Sequence, residues 1–275
     1  MNKTSITTTQ YEIAACVDIG LHRGNNEDNI YVDNQWLAPA DVDKPFRHSY
    51  TNVTAADILA ICDGMGGEAD GEFASFTAVS ELDKFVPQML NSSPDDFKQA
   101  LNEYITHINK IVCERMTETH QRIGSTLAML AIRKEGIYSV NIGDSKVYRF
   151  RNGLEQLSVD HNLASRMQEV GGMAKKNVLT QFIGIFEDEF TISPHITDKL
   201  PIRNNDIFLI CSDGLTDNVS ESRISKIMKT YKSSAEITDN LLREALANGG
   251  TDNISIITVK VKSPLLSKLT SIFKR

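Results

Sequence analysis

The chain has 275 residues, 41% of them hydrophobic and 24% charged, with a formal net charge of −7 and a pI near 5.4. That length can bury a full core and lies near the size at which single cores stop growing, so one enzyme-sized domain is expected. The acidic balance argues against a nucleic-acid binder working through a basic surface, and no apolar run reaches the ~18 residues of a membrane span.

Residues 1–10 are polar and Thr-rich, without the apolar core of a signal peptide, and are expected to be a disordered head. A cytoplasmic location is the corresponding expectation. Ile13 to Val17 reads as a strand leading into Asp18, Arg23, Asn26, Glu27 and Asp28, with a second strand from Asn29 to Val32. The insert from Asp33 to Asp57 carries Trp36, Phe46 and Tyr50 and reads as a loop over the sheet edge, packed on the core or serving as a docking surface. Ile58 to Cys62 is a strand-length apolar run that delivers a carboxylate, Asp63, followed by Gly64. Phe73, Phe76, Val79, Leu82, Phe85 and Val86 then recur at helical spacing. Ser93-Pro94 opens a long helix with Phe97, Leu101, Tyr104, Ile105, Ile108, Ile111 and Val112 on one face. From Ser125 to Leu157 the pattern is four strands, with turns at 134–136, Gly143-Asp144 and 151–153. Ile207 to Cys211 repeats the strand that ends in an acid, here Ser212-Asp213-Gly214. Helical pattern from Ser220 to Asn248 stops at Gly249-Gly250, and Thr251-Asp252-Asn253 leads into the strongest β run, Ile254 to Val261.

Glu27, Asp28, Asp63, Asp144, Asp213 and Asp252 thus all lie at the ends of expected strands. An Asp-Gly pair alone is ordinary turn chemistry, but carboxylates that converge in a partly dry site repel one another unless a cation sits among them. Oxygen donors without a Cys or His pair select Mg²⁺ or Mn²⁺ over Zn²⁺ or Cu²⁺. The number of acids exceeds the need of one ion and fits two, which in such sites lie ~3.5–4 Å apart and activate water toward a phosphate ester. Cys16, Cys62, Cys113 and Cys211 have no ligand or redox spacing and read as core residues of a reducing compartment.

The motif order resembles the metal-dependent serine/threonine protein phosphatases of type 2C, the PPM family, in their bacterial form. It runs Arg23-x-x-Asn26-Glu27-Asp28, Asp63-Gly64-Met65-Gly66-Gly67, Gly124-Ser125-Thr126-Leu127, Asn141-Ile142-Gly143-Asp144-Ser145 and Asp160-His161-Asn162. Leu179-Thr180-Gln181-Phe182-Ile183-Gly184, Ser212-Asp213-Gly214-Leu215 and Gly250-Thr251-Asp252-Asn253 complete it. The resemblance implies an α+β fold, a four-layer α-β-β-α sandwich with two central antiparallel sheets flanked by helix pairs. It implies a catalytic domain over 11–262 and leaves 263–275 as an amphipathic basic tail. It also implies two Mn²⁺ or Mg²⁺ ions, with a possible third. Asp63 then resembles the bridging ligand, with the Gly64 carbonyl beside it, and Asp213 and Asp252 resemble ligands of the first ion. Glu27 and Asp28 resemble holders of the metal waters, Asp144 with Asp213 resembles a third-ion site, and Arg23 resembles the phosphate clamp. Two departures stand out: Met65 occupies the place where animal members carry a His, which leaves the leaving-group proton to a metal-bound water with His161 as a weaker candidate, and the flap from Asn162 to Thr180, with Lys175 and Lys176, is short.

The expected partners are phosphoserine and phosphothreonine proteins, substrates of a serine/threonine kinase, and not nucleic acid; a monomer without a transmembrane segment is expected. Two other classes compete: a pseudophosphatase that only binds phosphoproteins, and a dinucleotide binder using Gly64-Met65-Gly66-Gly67-Glu68-Ala69 with Glu81 or Asp83. For the tail, Leu265, Leu266, Leu269, Ile272 and Phe273 share a helical face, with Lys262, Lys268, Lys274 and Arg275 largely off it. Packing on the domain, docking a partner and anchoring at a membrane are the three readings.

Overall fold

A computed structural model describes residues 9–52, 56–66, 70–168 and 178–262. The expectations for most of the head, for residues 67–69 of the glycine phrase, for Lys175 and Lys176 and for the tail lie outside those residues. In chain order, β1 (Gln10–Asp18), β2 (Asp28–Tyr31), β3 (Phe46–Asn52) and β4 (Asp57–Gly66) precede α1 (Gly71–Leu82), α2 (Val86–Asn91) and α3 (Pro94–Thr119). Then come β5 (Ile123–Ser125), β6 (Leu127–Arg133), β7 (Gly136–Ile142), β8 (Lys146–Phe150), β9 (Leu154–Gln156), α4 (Leu163–Gln168) and β10 (His195–Ile196). The last elements are β11 (Ile207–Cys211), α5 (Asp213–Thr216), α6 (Glu221–Thr230), α7 (Ser234–Ala247) and β12 (Ile254–Lys262).

The strands form two antiparallel sheets, ordered β3-β1-β12-β11-β8-β9 and β10-β7-β6-β4-β2, with β5 added to the end of β4. Alternation along β4 shows how the layers are made. Ile58, Ala60 and Cys62 face the helices and pack with Phe97, Leu101, Tyr104 and Ile108 of α3, whereas Leu59 and Ile61 face the other sheet and meet Ile13, Val17 and Ile257. On the far side of the first sheet, Leu209, Cys211 and Ile256 pack against Ile224, Ile237 and Leu241. These are the three interfaces of an α-β-β-α sandwich. Cys16, Cys62 and Cys211 are buried and free within it.

Local signals act as their chemistry dictates. The Ser93 hydroxyl caps α3 by accepting the Asp96 N–H at 3.2 Å, and the helix ends where His120 turns left-handed at φ 57°. The apolar series from Phe73 to Val86 is not one helix: α1 ends at Leu82 and α2 begins at Val86, with Pro87 in its first turn. Proline lacks the N–H that a continuing helix needs there, but suits a first turn. The insert is not only a loop, since Phe46–Asn52 pairs with β1 along its whole length. Trp36 stacks on Tyr31 at 6.2 Å and, like Phe46 and Tyr50, is half-buried against the core.

Register carries the acids to one end of the molecule. Asp18 faces Ile254 across β1 and β12, Cys211 faces Ile256, and Asp28 faces Asp63 across β2 and β4. The β1–β2 and β7–β8 connections cross between the sheets at that same end. At the opposite end, buried Arg133 fixes the α2–α3 corner to β6. Its guanidinium lies 4.8 Å from the Phe97 ring centre, its Nε donates to Glu135 at 2.5 Å, and it also donates to the carbonyls of Met89 and Ser92. Arg133→Met should leave those carbonyls unmet and lower unfolding stability in urea by about 3 kcal/mol. A loss below about 1 kcal/mol would contradict this anchoring.

Candidate active site

The site is built where the two sheets meet. Asp28 and Asp63 are direct neighbours on adjacent strands, so their carboxylates cannot escape one another by backbone movement. Asp144 lies in the turn joining β7 to β8, Asp213 starts α5 directly after β11, and Asp252 stands two residues before β12. Asp28 is fully enclosed and Asp144 nearly so, while Asp63, Asp213, Asp252 and Glu27 each keep part of their surface at the cleft.

The electrostatics report the crowding. Burial, then the charges of Asp28, Asp213, Asp144 and Asp252, hold the Asp63 carboxyl well above the ordinary carboxylate range. Burial pushes Asp28 up to about 7, against a hydrogen bond from the Ser212 hydroxyl at 2.7 Å. Asp213 rises to about 7 through burial and the charges of Asp144, Asp217, Asp252 and Asp28. Glu27 is raised by burial, with Arg23 opposing. The cluster is therefore proton-loaded near neutrality when no cation is present.

Arg23 is the positive group at the rim. Its Nη2 donates to Asp252 at 2.7 Å, and its side chain is 47% exposed. Among the described residues no three acids close into a shell that would hold an ion unaided. Arg23 occupies Asp252 Oδ2, and the Asn253 N–H donates to Oδ1 at 2.8 Å. The residues nevertheless fit Mn²⁺ or Mg²⁺: the donors are hard oxygens, and their shared repulsion is what a divalent ion relieves. Gly64 fits a close backbone approach, because a Cβ there would lie 2.2 Å from the Gly71 carbonyl and 2.6 Å from that of Glu27.

Several residues that hold the acids in place stand in the same sequence motifs, but their partners are distant in the chain. Asn253 accepts the Glu27 N–H at 2.9 Å and donates to the carbonyls of Ile19 and Asn25, so one amide orders the whole β1–β2 crossing. Asn26 accepts the Asp28 N–H at 3.1 Å and donates to the Val42 carbonyl, fastening that crossing to the insert. Thr126 Oγ1 accepts the Asp63 N–H at 3.0 Å. The Nδ1 of His161 accepts the Gly143 N–H at 3.2 Å, which ties that ring nitrogen to the β7–β8 turn. The dinucleotide reading loses its frame: Gly64 and Gly66 continue β4 and pair antiparallel with β5, where a nucleotide fingerprint needs a turn into a helix.

The sequence profile described as protein phosphatase 2C matches residues 46–248. The chain belongs to the protein phosphatase 2C family. It is 30% identical over 223 residues to the serine/threonine phosphatase stp of Listeria welshimeri, covering 77% of this chain and 87% of that one. The serine/threonine phosphatase PstP/Ppp of Mycobacterium tuberculosis superposes with a TM-score of 0.74 at 25% identity, over 92% of this chain and 99% of that one. A structure of the PstP catalytic domain in complex with two manganese ions aligns with a TM-score of 0.73 at 25% identity, over 93% of this chain and all of that one.

The acid cluster sets a pH dependence. Folded Asp28 and Asp213 hold protons up to about 7, whereas unfolded carboxyls release them near their ordinary value of about 4. Between those values the folded form binds more protons, so its stability rises as pH falls through 7. In chelator, the melting temperature of the wild type should climb between pH 8 and pH 6, and Asp28→Asn should flatten the climb. Equal slopes for the two proteins would contradict the assignment.

Proposed function

We propose that this protein is a metal-dependent protein serine/threonine phosphatase that hydrolyses phosphoserine and phosphothreonine, using Asp63, Gly64, Asp213 and Asp252 as its principal metal-binding groups. The observation that carries this reading is the convergence of Asp63, Asp28, Asp213, Asp144 and Asp252, seen as the shared upward shift of the Asp63, Asp28 and Asp213 carboxyls. Two Mn²⁺ or Mg²⁺ ions, when bound, supply the charge that keeps these carboxylates ionised and make a water acidic enough to attack phosphorus.

The chain's own residues do the rest. Asp63, with acids on either side, is placed to serve both ions, and Gly64 lends its carbonyl where no side chain would fit. Glu27 and Asp28 hold water at the edge of the set, Asp28 being itself fixed by Ser212. Asp144 with Asp213 serves a third, weaker ion. Arg23, once released from Asp252, presents a planar fork to two phosphate oxygens at an exposed rim that a phosphorylated loop can reach. Met65 has no proton to give the leaving oxygen, and no cysteine is offered as a nucleophile: Cys62 is buried and its thiol is raised far above neutrality.

Among the described residues no helix is long and apolar enough to cross a membrane. The enzyme proposed is a cytoplasmic monomer acting on the products of a serine/threonine kinase. The catalytic unit proposed is 11–262, with the tail, 263–275, as a partner-docking or self-packing segment. The pseudophosphatase reading lacks its signature, because no acid of the set is missing.

Hydrolysis of p-nitrophenyl phosphate and of a phosphothreonine peptide should vanish in EDTA and return with Mn²⁺. Asp63→Asn should abolish turnover while folding normally, and binding of a phosphopeptide without turnover by the wild type in Mn²⁺ would favour the pseudophosphatase. Arg23→Ala should chiefly raise KM for the phosphopeptide, by roughly tenfold for a lost charge-assisted pair of about 1.4 kcal/mol, with a smaller fall in kcat. An unchanged KM would remove Arg23 from phosphate binding.

A further inference from the structure

His161 has no part in the chemistry just described, yet it is tied to the acid cluster from behind. It follows β9 in the chain and is half-buried. Its Nδ1 accepts the Gly143 N–H at 3.2 Å, and its own backbone N–H donates to the Gly143 carbonyl at 3.0 Å. Both polar groups of the residue before Asp144 are thus held by one histidine. Gly143 has φ 96°, and a Cβ on it would lie 2.6 Å from the Thr126 methyl, so the peptide is fixed from the opposite side as well. On the other flank of Asp144, the Ser145 hydroxyl meets Thr126 Oγ1 at 2.7 Å, and that same Oγ1 accepts the Asp63 N–H. Asp144 is therefore carried between two anchored neighbours on a path that ends at Asp63. A buried ion pair between Lys146 and Asp160 runs alongside and zips the same two stretches together.

The opposite side of His161 faces the flap. Its carbonyl accepts the Thr180 N–H at 2.8 Å, the Leu163 N–H donates to Val178 at 2.7 Å, and Asn162 bridges to Leu179. His161 to Leu163 thus pair with Val178 to Thr180, and His161 also braces the Gly143–Ser145 turn.

We propose that His161 is a positioning residue: its ring holds the Gly143 amide so that Asp144 is fixed relative to Asp63, joining the base of the flap to the acid cluster. The proposal rests on the reading of Asp144 as a metal-binding group. A ring nitrogen that accepts an N–H carries no proton, so the imidazole is neutral with its hydrogen on Nε2. Burial and the charge of His195 lower its basicity in the same sense, with Asp160 opposing. A leaving-group acid would have a different signature, since its loss weighs on serine or threonine esters and little on p-nitrophenyl phosphate, whose leaving group needs no proton.

The first test uses the full chain without metal. Long-range proton–nitrogen correlation spectra at pH 7.5 should show His161 as a single neutral tautomer with the hydrogen on Nε2; a hydrogen on Nδ1 or averaged tautomers would overturn the proposal. The second test compares variants by Mn²⁺ calorimetry and by turnover on both substrates. His161→Asn places an acceptor where Nδ1 stood and should stay within a few-fold of wild type on each readout. His161→Gln and His161→Ala should weaken the lowest-affinity Mn²⁺ step and turnover by about 10–100-fold, equally on both substrates. Adding His161→Gln to Asp144→Ala should bring no further loss, because the group that His161 positions is then gone. Equal impairment of Asn and Gln variants, multiplying losses in the double variant, or a defect confined to the phosphopeptide would each contradict the positioning role. Should His161→Ala fail to fold, the Asn–Gln contrast and the wild-type spectrum still decide. A wild type that lacks Mn²⁺-dependent hydrolysis would sink the phosphatase reading alone, leaving the tautomer and the Mn²⁺ affinities to judge His161.

Discussion

Asp28 and Asp63 stand opposite each other on neighbouring antiparallel strands, and the backbone hydrogen bonds of β2 and β4 give them no way to separate. Coulomb repulsion between two carboxylates at such spacing is worth several kcal/mol at the effective dielectric of a protein surface, and more where water is excluded. The fold adds Asp144, Asp213 and Asp252 to that pair from three further connections. The rest of the molecule can be seen as the framework that makes this unfavourable gathering tolerable. Two sheets supply the strand ends, two helical layers cover the outer faces with apolar packing, and a small set of amides and hydroxyls hold the crossings between the sheets. A stable core far from the acids supports a strained charge arrangement at one end.

That division explains why the family's chemistry is metal chemistry. Among the described residues no set of internal cations is seen to match the acids in number; Arg23 reaches Asp252 and remains half exposed at the rim. Divalent ions bring the missing charge, and the protons that the free protein keeps on Asp28 and Asp213 must leave as they enter. If Asp252 serves as a metal-binding group, as proposed, its ion pair with Arg23 would tie loading with metal to the freedom of the guanidinium.

The parts of this arrangement that were legible in the sequence are those with local signatures. An apolar strand ending in Asp-Gly announces Asp63 and Asp213, and the Gly-Gly stop before Asp252 and a long β run announces the third acid. The four-layer fold is what the resemblance of the motif order implies. What sequence could not carry is pairing over distance. Strand β3 reads as loop because Phe46–Asn52 mixes aromatic and polar residues without a clean apolar alternation, and only its pairing to β1 makes it a strand. The break between α1 and α2 was overridden by apolar spacing, although Pro87 marks it. Asn253 reads as a companion of Asp252, yet it spans more than two hundred positions to hold Glu27 and the β1–β2 crossing. His161 reads as a spare acid, and its contact with Gly143 depends on how β9 returns beside the β7–β8 turn.

Folded, metal-free protein is expected to store protons on its converging carboxylates and to give them up to divalent ions. Calorimetric titration with Mn²⁺ at pH 7 in buffers of different ionisation enthalpy measures this directly. The account predicts an observed enthalpy that changes with the buffer, corresponding to net proton release, and a release that fades at pH 8.5, above the pH near which Asp28 and Asp213 lose their protons. A binding enthalpy identical in all buffers at pH 7 would show that the carboxylates were already ionised and would contradict it.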